Sequence, residues 1–119
     1  YETLPYPGAA EYFAEYSKRF NKPTEYHGAE AYAACQVIAD TLKRAKSFSP
    51  EDVKTALSET NLETVFGPVK FVSYDKKINQ NKLPTYLVQW IEGKLELVWP
   101  KNLASKPYVY PVDFEKAWK

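Results

Sequence analysis

The 119 residues carry 16 basic and 15 acidic side chains, and the resulting net charge of +1 is spread along the chain, which gives nucleic acid or an anionic membrane no electrostatic footprint. No apolar run approaches the roughly 20 residues needed to cross a bilayer, and the stretch from Tyr1 shows neither a basic n-region nor an apolar h-region. The single cysteine, Cys35, and single histidine, His27, supply neither an internal disulfide nor a set of soft ligands for zinc. The aromatic fraction is high at 16%, with ten Tyr and three Trp against no Met, a composition that suits a core, a pocket or an interface equally well.

Residues 1–7 hold two prolines and no periodicity, and read as an extended lead-in, a loop cut open. From Gly8 the apolar positions Ala9, Tyr12, Phe13, Tyr16 and Phe20 recur at spacings of three and four, which predicts an amphipathic helix stopped before Pro23. The next helix, through Ala29, Ala31, Tyr32, Ala33, Ala34, Cys35, Val37, Ile38 and Ala39, has almost no polar face until Asp40, Lys43 and Arg44, so it requires cover on several sides. A third helix begins where Ser49 can cap, Pro50 fits the first position and Glu51 and Asp52 favour the positive end, and it runs to about Glu59.

After Asn61 the pattern changes to period two, with Val65, Phe66, Val69 and Phe71 around a Gly67-Pro68 break that reads as one bent or edge strand, and Ser73 to Lys82 reads as a loop. Thr85 to Ile91 and Lys94 to Trp99 flank Glu92-Gly93, a two-residue hairpin signal. That turn predicts Trp90 opposite Leu95, Val88 opposite Leu97 and Tyr86 opposite Trp99 on one apolar face, with Gln89 opposite Glu96 and Ile91 opposite Lys94 on the other. Residues 101–119, with Tyr108, Tyr110, Phe114 and Trp118, read as an extended tail pinned by its rings.

A Cys-His nucleophilic pair requires Cys35 beside His27, but eight residues of helix separate them by about 12 Å of rise. Cys35 reads instead as an inert, buried small residue. Glu51 with Asp52 and Glu92 with Glu96 read as helix capping and hairpin surface, and glycine never occurs as G-x-G, so neither paired-carboxylate catalysis nor a phosphate loop has support. His27, just ahead of the Ala-rich helix, has two readings: a helix-entry residue, or a polar group aimed into a site. Trp90, Trp99 and Trp118 have the chemistry to stack on sugars, although the hairpin register takes the first two into a core.

Three segments together resemble the type I periplasmic solute-binding proteins of the branched-chain amino-acid family. They are Leu4-Pro5-Tyr6-Pro7-Gly8-Ala9 leading through Phe13-Ala14-Glu15-Tyr16 to Asn21-Lys22-Pro23; the run from Tyr26-His27-Gly28 to Ala33-Ala34-Cys35-Gln36; and Leu62 to Phe71 followed by Val88-Gln89-Trp90, Glu92-Gly93-Lys94 and Val98-Trp99-Pro100. The resemblance implies an α/β fold, α+β as an isolated fragment, in which three helices precede a hinge strand and a β-hairpin at the C-terminal end of a two-lobed protein. Residues 1–64 would give the helical part of the first lobe, 65–100 the hinge strand and hairpin, and 101–119 the tail. It further implies a non-catalytic, cofactor-free solute binder serving an ABC-transporter permease from the periplasm or cell surface. Its solute would be an amino acid, amide or aromatic acid, with Tyr26, His27 and Tyr1 at or near the cleft. A fragment of this kind is expected to dimerise or to pair with the missing N-terminal part. The competing reading is a free-standing α+β interaction or carbohydrate-binding module that uses its surface aromatics.

Overall fold

The computed structural model describes residues 4–114 and divides the chain into two compact units, one ending at Leu83 and one beginning at Pro84. Tyr1 and Trp118 lie outside the described residues.

In the first unit the three predicted helices form as α1 (Ala9–Phe20), α2 (Tyr26–Arg44) and α3 (Pro50–Ser58). Asn21, in the left-handed conformation, ends α1 two residues before Pro23. Ser49 caps α3 as its sequence predicts, its hydroxyl accepting the Asp52 N–H, with Pro50 in the first turn. Helix α2 buries a single stripe, Ala33, Val37 and Thr41, spaced one helical turn apart. Tyr32, Ile38 and Leu42 remain exposed, so most of the cover that its composition calls for is missing. Cys35 is exposed and not buried as the sequence reading had it. It lies two positions, about 200°, around the helix from Ala33, well away from the one covered stripe.

Arg44 fastens α2 to the segment that follows. Its guanidinium holds Asp40 one turn back at 2.8 Å, donates to the Ala56 carbonyl at 2.8 Å and reaches the Thr60 hydroxyl at 3.3 Å. Three hydrogen-bonded partners fix one rigid fork, which a lysine cannot reproduce.

The segment read as one bent strand is a hairpin. β1 (Asn61–Thr64) pairs antiparallel with β2 (Gly67–Tyr74) through a turn at Val65 and Phe66. Thr64, fully buried, closes that turn, its hydroxyl donating to the Gly67 carbonyl at 2.6 Å and accepting the Phe66 N–H at 3.2 Å. A side-chain closure of this kind leaves no trace in a period-two pattern. The stretch from Ser73 to Lys82, read as a loop, instead completes β2 and forms β3 (Lys77–Asn81) after a turn in which Asp75 is left-handed. The sheet order is β1-β2-β3. Every residue of β3 is exposed, so no apolar alternation marks it as a strand.

The second unit is the hairpin of β4 (Leu87–Ile91) and β5 (Lys94–Trp99), turned by Glu92 and Gly93, both at positive φ. Four of the five pairs stand as the turn predicts: Val88 with Leu97, Gln89 with Glu96, Trp90 with Leu95 and Ile91 with Lys94. Trp99 pairs with Leu87 and not Tyr86, because an irregularity between Leu87 and Val88 shifts the register. The two tryptophans do not enter a core; each is 47% exposed, and Leu97, at 1%, and Val98, at 8%, are the side chains that do. Leu97 is held from residues 105 and 106, whose N–H groups both donate to its carbonyl, while its own N–H donates to the Ser105 hydroxyl.

Among the described residues the tail is pinned by polar groups and not by its rings. The Gln89 amide brackets Val109, accepting its N–H at 2.8 Å and donating to its carbonyl at 2.9 Å, whereas Tyr108, Tyr110 and Phe114 are exposed. Without periodicity, those aromatics present no common face that a strand could cover.

Candidate functional site

The residues singled out as lining a cleft open α2, and its neighbour α1 sets where that opening stands. The Tyr12 hydroxyl hydrogen-bonds Thr24 at 3.1 Å, fixing the connection between the helices. Its ring packs on Tyr32 with centroids 4.8 Å apart and on Tyr16 at 5.9 Å, and Tyr16 continues to Phe20 at 4.6 Å. Gly28 lies beneath this ladder, and a Cβ there would stand 3.0 Å from both the Tyr12 and the Thr24 hydroxyl oxygens, which would have to give way by a few tenths of an ångström.

Tyr26 and His27 occupy the first turn of α2, which starts at Tyr26 and so takes in residues that the sequence reading placed just ahead of the helix. Glu25, in the extended conformation, takes the cap position without a side-chain cap, and its carbonyl accepts the N–H groups of Gly28 and Ala29. The rings of Tyr26 and His27 lie against each other with centroids 3.9 Å apart, and His27 Nδ1 stands 3.4 Å from a Glu30 carboxylate oxygen. The side chain of His27 is 70% exposed and Tyr26 is 62% exposed. The turn therefore presents an aromatic face, an imidazole and a carboxylate together at a helix N-terminus, where the helix dipole favours negative charge. These groups suit a small zwitterion: a carboxylate toward the helix start, an ammonium toward Glu30 and the ring faces.

Two grooves flank α2 that the sequence reading did not single out. Between α1 and α2 an open groove of about 750 Å³ is lined by Tyr12, Tyr16, Tyr32, Cys35 and Gln36. On the opposite side an apolar groove of about 340 Å³ runs between α2 and β2, lined by Ala34, Val37, Ile38, Phe66, Val69 and Phe71. The signal for both was present in the excess of apolar residues on α2, but composition does not show which faces stay open.

Among the described residues the catalytic groupings weighed from the sequence do not assemble. Cys35 and His27 stand on one helix eight residues apart, and Glu92 and Glu96 are engaged by Lys106 at 3.0 and 3.8 Å. Among the described residues no cluster of three or more His, Cys, Asp or Glu is arranged to hold a metal ion, and no helix is long and apolar enough to cross a membrane.

The family model of a periplasmic binding protein matches residues 1–94, the first unit and the start of the β4–β5 hairpin. The chain belongs to the periplasmic binding protein family. Its fold is the mixed α/β arrangement expected of part of such a protein. Among curated relatives it is similar to the Leu/Ile/Val-binding protein homolog 7 of Brucella melitensis, 30% identical over 100 residues, and to homolog 8 of Brucella abortus, 30% identical over 104 residues. Each alignment takes in 82% of this chain and 25% of the relative, so the chain spans about a quarter of the length of the periplasmic binding proteins it matches. No solved structure matches.

Proposed function

We propose that the chain is the C-terminal quarter of a two-lobed solute-binding protein that delivers an amino acid, amide or aromatic acid to an ABC-transporter permease from the periplasm or cell surface. The observation that carries this reading is the match over residues 1–94 to a family of binding proteins, with relatives named for leucine, isoleucine and valine. The open apolar faces of α2 support it, since a helix with one covered stripe out of an almost wholly apolar surface is built for further packing layers. On this reading the helices belong to the first lobe, β1 and β2 approach the hinge, and Tyr26 and His27 face the cleft as the lobes close on the solute.

Calorimetric titration of the intact protein with leucine, isoleucine and valine, then with small amides and aromatic acids, tests it. At least one class is expected to bind, and His27→Ala and Tyr26→Ala are each expected to weaken that solute about tenfold. Unchanged affinity in both variants removes the first turn of α2 from the cleft. Failure of every solute class sinks the transport reading.

A further inference from the structure

A balanced net charge conceals a local excess on the β2–β3 hairpin. Residues 70–82 hold four lysines, Lys70, Lys76, Lys77 and Lys82, and one acid, Asp75, a net charge of +3 in a chain whose total is +1, so the other residues sum to −2. All four lysines are exposed. Among the described residues no carboxylate forms an ion pair with any of them; the ion pairs lie on α1, on α2 and at Lys106.

Two of these ammonium groups converge on one ring. Lys77 Nζ lies 5.7 Å and Lys82 Nζ 5.0 Å from the centroid of the half-buried Tyr74. Tyr74 and Lys77 are register partners flanking the Asp75-Lys76 turn, and Lys82 reaches the same ring from beyond the end of β3. The ring's negative face holds each cation, while the two cations repel each other. An anionic group that reaches either ammonium gains a charge-assisted contact and offsets the excess positive charge of the hairpin. The ring limits the rotamer freedom that long lysines otherwise lose on binding.

We propose that Tyr74, Lys77 and Lys82 form a docking point for an acidic segment of a protein partner. A half-buried tyrosine flanked by unpaired cations is the arrangement of an aromatic anchor with a charged rim. It stands on a different element from the first turn of α2 and does not depend on the solute.

The test uses the intact protein and a dye-labelled peptide of alternating glutamate and alanine, followed by fluorescence anisotropy at low ionic strength, with the matching lysine and alanine peptide as control. The acidic peptide is expected to bind, the basic one to fail, and affinity to fall as salt rises. Lys77→Gln combined with Lys82→Gln is expected to weaken binding about three- to tenfold, and Tyr74→Leu to weaken it with both lysines present. The equally exposed pair Lys43→Gln and Lys46→Gln leaves it unchanged. Lack of peptide binding by the wild type, or wild-type affinity in the Lys77 and Lys82 double variant, overturns the proposal. So does lysine-dependent binding to phosphatidylglycerol vesicles without binding to the peptide. If the lysines only keep the sheet edge from self-pairing, the double variant aggregates with peptide affinity intact, which also overturns it. Solute titration of the same samples reads the cleft separately, so failure of one reading is distinguishable from failure of the other.

Discussion

The side-chain carbonyl of Gln36 accepts the backbone N–H of Val65 at 3.1 Å, tying the middle of α2 to the turn between β1 and β2. Val65 is buried, so its N–H has no ready replacement in water. Gln36→Leu removes the acceptor and leaves a buried donor unsatisfied, at a cost of about 1–3 kcal/mol. Gln36→Glu retains an oxygen and should cost less. The denaturant midpoint of the intact protein measures both, and equal midpoints for wild type and Gln36→Leu would show the bond to be incidental.

Gly67 opens β2 at φ 120°, a conformation that side-chain-bearing residues rarely adopt. A Cβ there would also stand 3.1 Å from the Tyr6 ring. Backbone strain at such a position costs on the order of 1–3 kcal/mol, so Gly67→Ala is expected to lower stability by that amount. Pairing it with Tyr6→Ala separates the causes: the double variant recovers the part due to the ring and keeps the part due to φ. Recovery of the whole loss would assign the effect to the ring alone.

The helices and the β4–β5 turn were legible because each writes itself locally. Ser49 followed by Pro50 and Asp52 is a cap in sequence as in structure, and Glu92-Gly93 fixes four cross-strand pairs by counting outward. The features that escaped depend on bonds between distant or irregular positions. β3 is exposed at every residue and has no pattern to read, and the Val65 turn is closed by a threonine hydroxyl. Leu97 is buried where Trp90 and Trp99 are not, and a segment eight residues further on bonds its backbone. Tyr26 and His27 were expected at the cleft from their place ahead of an Ala-rich run, and the structure puts them in the first turn of α2. Their ring contact and the approach of Glu30 required the helix to start at Tyr26, which residue types alone do not specify.

Gln89 holds the tail by two hydrogen bonds to the backbone of a single residue, Val109. Gln89→Ala breaks both together and is expected to expose the peptide bond between Tyr108 and Val109 to chymotrypsin, with cleavage about tenfold faster, since local opening needs no unfolding of the hairpin. Mass spectrometry of timed digests locates the cut. Cleavage at the wild-type rate would mean that the contacts at Ser105 hold the segment alone.

Lys106 supplies the pH dependence of that attachment. The hydrogen bond it donates to Glu92 at 3.0 Å is the main reason its pKa lies above the ordinary lysine value; the Glu92 charge adds to this, desolvation works against it, and the Glu96 charge contributes least. A cation whose folded pKa is raised contributes its full stabilisation below the unfolded value, about 10.4 for lysine, and loses it as pH rises through the higher folded value. On the lysine side the contact is therefore constant across the neutral range and is lost in strong alkali. Following its side-chain resonance by NMR, Lys106 is expected to deprotonate above the ordinary lysine value. Glu92→Gln should bring it back toward that value, and Glu96→Gln should move it less. Titration of Lys106 at the ordinary lysine value in the wild type would show that the ion pair does not persist in solution, and the tail would then depend on Gln89 and Ser105 at every pH.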